Sequence, residues 1–213
     1  MNRRAREATA VGIAGAALGS GAGAIVGLSF PAAIIAGANG AISGWRGIYN
    51  WATSKGRLAF FLDSTWALTT TLGSLISHAI AAARRSPIEA DLSERQNRHV
   101  YGTGFIPRKG FAVTIGNVVS GAGDTTQESR RRLVEDHEEV HVWQARILGP
   151  LFPLAYGGWM IVATPAAVMS WLRTRGQSDR SLRAAIDHHA YWKNPFERQA
   201  YVRARRANAV ARD

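Results

Sequence analysis

Residues His137-Glu138-Glu139-Val140-His141 fit the pattern H-E-x-x-H, in which a helix offers two imidazoles to one metal ion. Residues four apart on a helix point from the same face. His137 and His141 can therefore supply two ligands, and Glu138 stands beside them to take a proton from water acidified by the metal. This is the chemistry of zinc-dependent hydrolysis. A hydrolytic zinc site keeps three protein ligands and one position for water, so the third ligand must come from elsewhere in the chain. The longer, His-rich form of the motif is absent. Glu197 is the first candidate. It lies in Asn194-Pro195-Phe196-Glu197, which reads as a helix start with Asn at the cap, Pro at the first position and Glu at the third. The same placement suits a plain capping carboxylate bonded to Asn194, and His188 or His189 can take the ligand role instead.

Further residues lie within reach of this chemistry. Gln144 shares the face of the two histidines, where it can orient a ligand, bind substrate or serve as a core amide. Asp136 faces away. Tyr201, one turn after Glu197, carries a phenol that can stabilise an oxyanion or hold a metal-bound histidine. Its bland reading is structural.

Composition narrows the classes. The chain has 213 residues, no cysteine and a net charge of +11. Without thiolates, a metal must use His, Asp or Glu. Such a charge suits nucleic acid or an anionic membrane surface. The distribution favours the membrane, because residues 8–45 and 147–172 carry no charged side chain. Arg3, Arg4 and Arg6 precede the first run, and Arg46, Lys55 and Arg57 follow it. No basic-aromatic nucleic-acid surface is recognisable, so no nucleic-acid partner is expected.

The elements that must position the site follow from the hydropathy pattern. Residues 8–30 are long enough to span a bilayer, and the apolar stretch runs on past Pro31, too far for a cleaved signal segment. Gly15, Gly19, Gly23 and Gly27 put a glycine stripe on one helix face, which permits close approach of another helix or of another copy of the chain. Pro31 is expected to break the helix, with residues 32–45 returning as a second one. A flexible or soluble Gly/Ala-rich segment is the bland alternative. Residues 57–85 read as helical, interrupted at Asp63 or restarted there by an Asp63-Ser64-Thr65 cap, with His78 as a polar core residue. Residues 86–98 read as a linker. Two short strands are expected over 99–105 and 111–119, joined by the turn Pro107-Arg108-Lys109-Gly110. Gly102-x-Gly104 is not a phosphate loop. Thr125-Thr126-Gln127-Glu128 has capping-box spacing and opens a helix to about Leu148, and residues 181–192 read as a further helix.

The ordered set of motifs resembles a little-characterised bacterial group of membrane-associated zincin-like proteins. The matching pieces are His99-Val100-Tyr101-Gly102, Gly116-Asn117-Val118-Val119-Ser120, His137-Glu138-Glu139-Val140-His141-Val142-Trp143-Gln144, Leu148-Gly149-Pro150-Leu151-Phe152 and Asn194-Pro195-Phe196-Glu197-Arg198-Gln199-Ala200-Tyr201. Asp63-Ser64-Thr65-Trp66 belongs with them. The resemblance covers about residues 90–205 and implies a glutamate-zincin fold, with His137, His141 and Glu197 on zinc and Glu138 as base. Better-known glutamate zincins often carry Asp four residues after the ligand Glu, whereas Tyr201 stands there in this chain.

If His137, His141 and Glu197 share one metal, both ends of 147–172 lie on the same side of a membrane. That stretch is then a hairpin, a re-entrant element or part of the core, and Pro150, Pro153, Gly157-Gly158 and Pro165 suit a broken path. Trp143, Trp159 and Trp171 suit an interfacial depth. The expectation is an α+β, mostly helical protein. A glycine-rich membrane helical hairpin lies within a membrane-associated region, residues 1–85. A zincin-like domain with a small antiparallel β-hairpin and an apolar insertion occupies 86–213. Its function would be that of a zinc metallopeptidase in the bacterial cell membrane, acting on a peptide or protein substrate, with the catalytic side cytoplasmic by the positive-inside rule. The alternative is a non-catalytic membrane or scaffold protein with a structural or vestigial metal site.

Overall fold

The computed structural model describes residues 1–106, 108, 110–174 and 181–210. It divides into two compact units, Met1–Pro150 and Leu151–Asp213, and is mostly helical with one small mixed sheet.

The first unit starts with α1 (Arg3–Ala24), capped by Asn2, and α2 (Ser29–Arg46). Small residues set their distance. A Cβ added at Gly15, Gly19 or Gly23 would come within 2.7, 2.5 and 2.5 Å of the carbonyl oxygens of Ala36, Ala32 and Leu28. From the other side, a Cβ on Gly40 or Gly44 would meet the Val11 and Glu7 carbonyls at 2.6 Å each. Each step of four along α1 meets a step of four back along α2, so the pair is an antiparallel hairpin in backbone contact. Two expectations need correction. Gly27 is not in the stripe: it sits in the turn at φ +72° with open space around it, and the Leu28 N–H donates to the Gly23 carbonyl at 2.7 Å to close α1. Pro31 breaks nothing, because it falls in the first turn of α2, where a missing N–H leaves no bond unmade.

Next come α3 (Ser54–Ser64), capped by Thr53, and α4 (Leu68–Ala83). Asp63 does not cap a new helix. It lies inside α3 with its side chain buried. Residues 86–98 are not a linker either. They form the short α5 (Ala90–Ser93), bury Leu92 and Arg98, and bond to the loop after α2 through Arg95 N–H to Gly47 and Asn97 N–H to Ile48. Their polar side chains serve internal bonds rather than solvent.

The sheet comprises β1 (His99–Tyr101), β2 (Val113–Ile115) and β3 (Val118–Ser120), in the order β1-β3-β2. β1 runs parallel to β3, and β2 runs antiparallel to it. The expected hairpin between 99–105 and 111–119 is therefore replaced by a tighter one inside 113–120, turning at Gly116-Asn117. Gly116 has φ +58°, and any Cβ there would lie 2.3 Å from the Thr70 carbonyl. Of the expected turn 107–110, Pro107 and Lys109 lie outside the described residues.

One continuous helix follows, made of α6 (Glu128–Arg132), a π-helical stretch Leu133–Glu138 and α7 (Glu139–Leu148). Its cap is Gln127 rather than Thr125, and Asp124 instead accepts from the Thr126 N–H and hydroxyl. Leu92, Val100, Val119, Ala122, Val134 and Val142 pack into one core, and Val11, Ile48, Tyr49 and Ala59 into another. Beside them runs a buried polar network. Arg146 holds Asp63 through two bonds of 2.8 Å, with the pair 1% and 2% exposed. The Tyr49 hydroxyl and the Asn117 amide donate to the same Asp63 oxygen at 2.9 and 3.0 Å.

The second unit holds α8 (Leu151–Thr174), α9 (Leu182–Ile186), a π-helical stretch Asp187–Trp192 and α10 (Pro195–Val210). The expected broken path over 147–172 is met only at Gly149-Pro150, between α7 and α8; beyond it α8 is one helix that runs through Pro153, Gly157-Gly158 and Pro165. One turn of hydroxyl bonding at Thr164, which donates to the Met160 carbonyl at 2.8 Å, accompanies the proline. Among the described residues α8 alone is long and apolar enough to cross a membrane.

Candidate metal centre

The π-helical stretch ends where the motif begins, and π-helical turns inside α-helices recur at functional sites. His137 and Glu138 close that stretch, and His141 lies one turn into α7. All three are buried. The two imidazoles meet Nε2 to Nε2 at 3.2 Å. Two nitrogens on a tetrahedral zinc at about 2.0–2.1 Å stand about 3.3 Å apart, so the pair is already at ligand spacing. Gln144 Oε1 lies 2.8 Å from His141 Nδ1. An amide oxygen only accepts, so that nitrogen carries the proton and Nε2 is left with its lone pair toward His137. This is the orienting role that the face-sharing of Gln144 allowed.

Glu138 is held from the sheet. Its carboxylate accepts from the Thr114 hydroxyl at 2.7 Å. Thr114 is the middle residue of β2, the strand at one edge of the sheet. Glu139, the next residue, turns elsewhere, to Lys55 at 2.5 Å and Arg98 at 3.1 Å. Burial would raise its pKa, but the two cations outweigh this and hold it below the usual glutamate value.

In the second unit, Asn194 caps α10 as expected: its side-chain oxygen accepts from the Phe196 N–H at 3.0 Å. The reciprocal bond does not run to Glu197, since the Asn194 N–H donates to the Tyr191 carbonyl at 2.9 Å. Glu197, 4% exposed, instead accepts from the Tyr156 hydroxyl at 2.8 Å. The Asn194 N–H is thus taken by Tyr191, and Glu197 by Tyr156. Tyr201 stacks on Trp192 with centroids 5.3 Å apart, and its hydroxyl lies 3.3 Å from that of Tyr191. Burial, the bond to Tyr201 and the nearby Glu197 charge all push the Tyr191 phenol far above its ordinary pKa, so it stays a neutral donor. His189 Nδ1 faces the Ala185 carbonyl of its own helix at 3.1 Å.

His137 and His141 of the first unit and Glu197 of the second, all buried, could hold a metal ion. Neither His188 nor His189 belongs to it. Two imidazoles and one carboxylate, with one imidazole oriented by an amide, are a donor set that suits zinc. Three contributors escaped the sequence: Thr114, Tyr156 and Tyr191. Tyr156 had a faint signal, a phenol inside a 26-residue run without charge. Thr114 had none, because its role depends on which strand edge meets the motif helix. No protein-family model, curated protein or solved structure matches the chain.

Proposed function

We propose that the chain is a membrane-bound zinc metallopeptidase of the zincin type. The observation that carries this reading is the buried group His137, His141 and Glu197, with the Glu138 carboxylate next in sequence to a ligand. A zinc ion held by these three residues would polarise a scissile carbonyl and lower the pKa of water beside it. Glu138 takes the proton of that water and passes it to the leaving amine. Thr114 fixes the Glu138 carboxylate through one hydrogen bond, and β2, as an edge strand, leaves backbone groups that an extended peptide can pair with. Gln144 and Tyr156 orient ligand side chains, His141 and Glu197 respectively. Tyr191 and Tyr201, linked hydroxyl to hydroxyl, are the phenols available to an oxyanion.

Three features support the membrane part. Large apolar side chains face outward along α8, with Leu154, Ile161 and Val162 each at least 70% exposed. At the tip of the α1–α2 hairpin, Ile25 and Phe30 are 86% and 77% exposed. Asp63, the one acid between Arg57 and Arg84, is neutralised internally by Arg146, which is how ionisable residues persist at membrane depth. Basic residues at the N-terminus and at 46–57 support a cytoplasmic side for that end in a bacterial cell, by the positive-inside rule.

Metal analysis of the purified protein tests the reading. Wild type should hold about one zinc per chain, His141→Ala should lose it, and Glu138→Gln should keep zinc while losing hydrolysis of a peptide library. Zinc retained in His141→Ala would refute the site. Unchanged zinc with no hydrolysis in wild type would favour a structural metal in a non-catalytic membrane protein.

A further inference from the structure

At the charged end of the α1–α2 hairpin lies a cavity of about 220 Å³, lined by Arg3, Arg4, Arg46 and Arg95 together with Glu7, Glu94 and Trp45. At about 30 Å³ per water it has room for roughly seven waters, enough for a phosphate group and its first ester carbons. Two of its arginines are committed. Arg95 grips Glu7 at 2.7 and 2.9 Å, and Arg46 reaches the rings of His78 and His99 at 3.4 and 3.3 Å. Trp51 donates to Glu7 as well, at 3.0 Å. Of the two acids on the wall, Glu7 is thus saturated, and Glu94 is exposed. Arg3 and Arg4 are both exposed, and Arg3 adds its charge to the field that favours the Glu7 carboxylate. Two exposed guanidinium groups lining a pocket with a surplus of positive charge, four arginines against two glutamates, fit a phosphate, which accepts several N–H bonds at once.

The position of the cavity says where that phosphate comes from. Outward-facing apolar side chains begin directly beyond the arginines: Ile13 on α1 is 67% exposed, and Leu58, next to Arg57, is 49% exposed. Trp45, also 49% exposed, sits on the boundary itself, where tryptophan prefers to lie in membranes. We infer that this cavity binds the phosphate of an anionic phospholipid, seating the hairpin at headgroup depth. The inference rests on the membrane reading of the hairpin and is independent of the metal site.

Vesicle flotation of the full chain tests it, with phosphatidylcholine alone or mixed with phosphatidylglycerol. Wild type should float with both and bind the anionic vesicles roughly 20- to 30-fold tighter, at a factor of about five for each headgroup-level arginine. Arg3→Gln/Arg4→Gln should still float with phosphatidylcholine but lose the preference. Arg205→Gln/Arg206→Gln removes the same charge from exposed positions on α10 and should keep it. Equal loss in both double variants would overturn the site in favour of diffuse charge. Inorganic phosphate or glycerol 3-phosphate, at ionic strength matched with chloride, should leave the wild-type preference in place. If either abolishes it while chloride does not, the cavity takes a soluble phosphate and the lipid assignment fails. Failure of wild type to float with phosphatidylcholine would sink the membrane reading itself.

Discussion

Replacing Asp63 by Ala strands a cation. Arg146 is 1% exposed and spends two of its bonds on that carboxylate, keeping otherwise the Asn97 carbonyl at 2.5 Å and the face of the Trp143 ring, 5.1 Å away. Breaking a buried pair from one side costs about 3–5 kcal/mol. The Tyr49 hydroxyl loses its acceptor too, at about 1–3 kcal/mol for an unsatisfied buried donor. Asn117 is better protected, since its amide also donates to Asn39 at 3.2 Å. A loss of about 4–8 kcal/mol is expected, a large share of the 5–15 kcal/mol typical of a folded domain. Asp63→Ala/Arg146→Met removes both charges and should lose only about 1–3 kcal/mol. The double variant should therefore be more stable than the single one by about 3–5 kcal/mol, roughly 150- to 4,000-fold in the unfolding constant. Urea unfolding in a mild non-ionic detergent, followed by tryptophan fluorescence from the seven Trp residues, measures both. A double variant less stable than Asp63→Ala would show that the ion pair does not act as a unit.

Other expectations concern the hairpin, the site and the topology. Gly19→Ala should cost about 1–3 kcal/mol by overpacking, since its Cβ would lie 2.5 Å from the Ala32 carbonyl, while Gly21→Ala meets nothing within 4 Å and should be neutral or slightly stabilising. Thermal melting of the two variants side by side separates close contact from mere helix propensity. Gln144→Ala and Tyr156→Phe should each weaken zinc binding about 10- to 100-fold, the usual effect of removing a partner that orients a ligand; equilibrium dialysis with unchanged affinity would remove them from the site. In intact bacteria, a cysteine at position 57 should stay unlabelled by an impermeant thiol reagent until the cells are opened, and prompt labelling would reverse the orientation.

What could be read from the sequence was whatever is local. The motif at 137–141, the cap at Asn194 and the spacing of Gly15, Gly19 and Gly23 all show within a few residues, and each lies on the helix it announced. Nothing local marked the partners that close each interaction. Asp63 looked like a break in an apolar run because its counter-charge is 83 positions away. Residues 86–98 looked like a linker because Arg95, Asn97 and Arg98 are polar, and polarity does not distinguish a solvated residue from one bonded inside. The Gly116-Asn117 turn was hidden because strands of three residues are too short to show alternation before the chain reverses. Glu197 was placed correctly on its helix, yet only the bond from the Asn194 N–H to Tyr191 separates it from a capping role.

The π-helical stretch before the motif has a consequence for which length changes the gene can tolerate. The helix is pinned at both ends. Arg130 donates to the carbonyls of Ala122, Gly121 and Gly110, and Arg146 is locked to Asp63. A wider turn lets the chain fit an extra residue between those two anchors without changing either. Deleting one residue from 133–136 would restore ordinary α-helical winding with both anchors still in register. Inserting one there, where the wide turn is already used, would turn one anchor about 100° relative to the other. Either the arginine clamp or the direction of His137 and Glu138 would then be lost. The stretch between Arg130 and Arg146 should therefore tolerate the loss of one residue better than the gain of one.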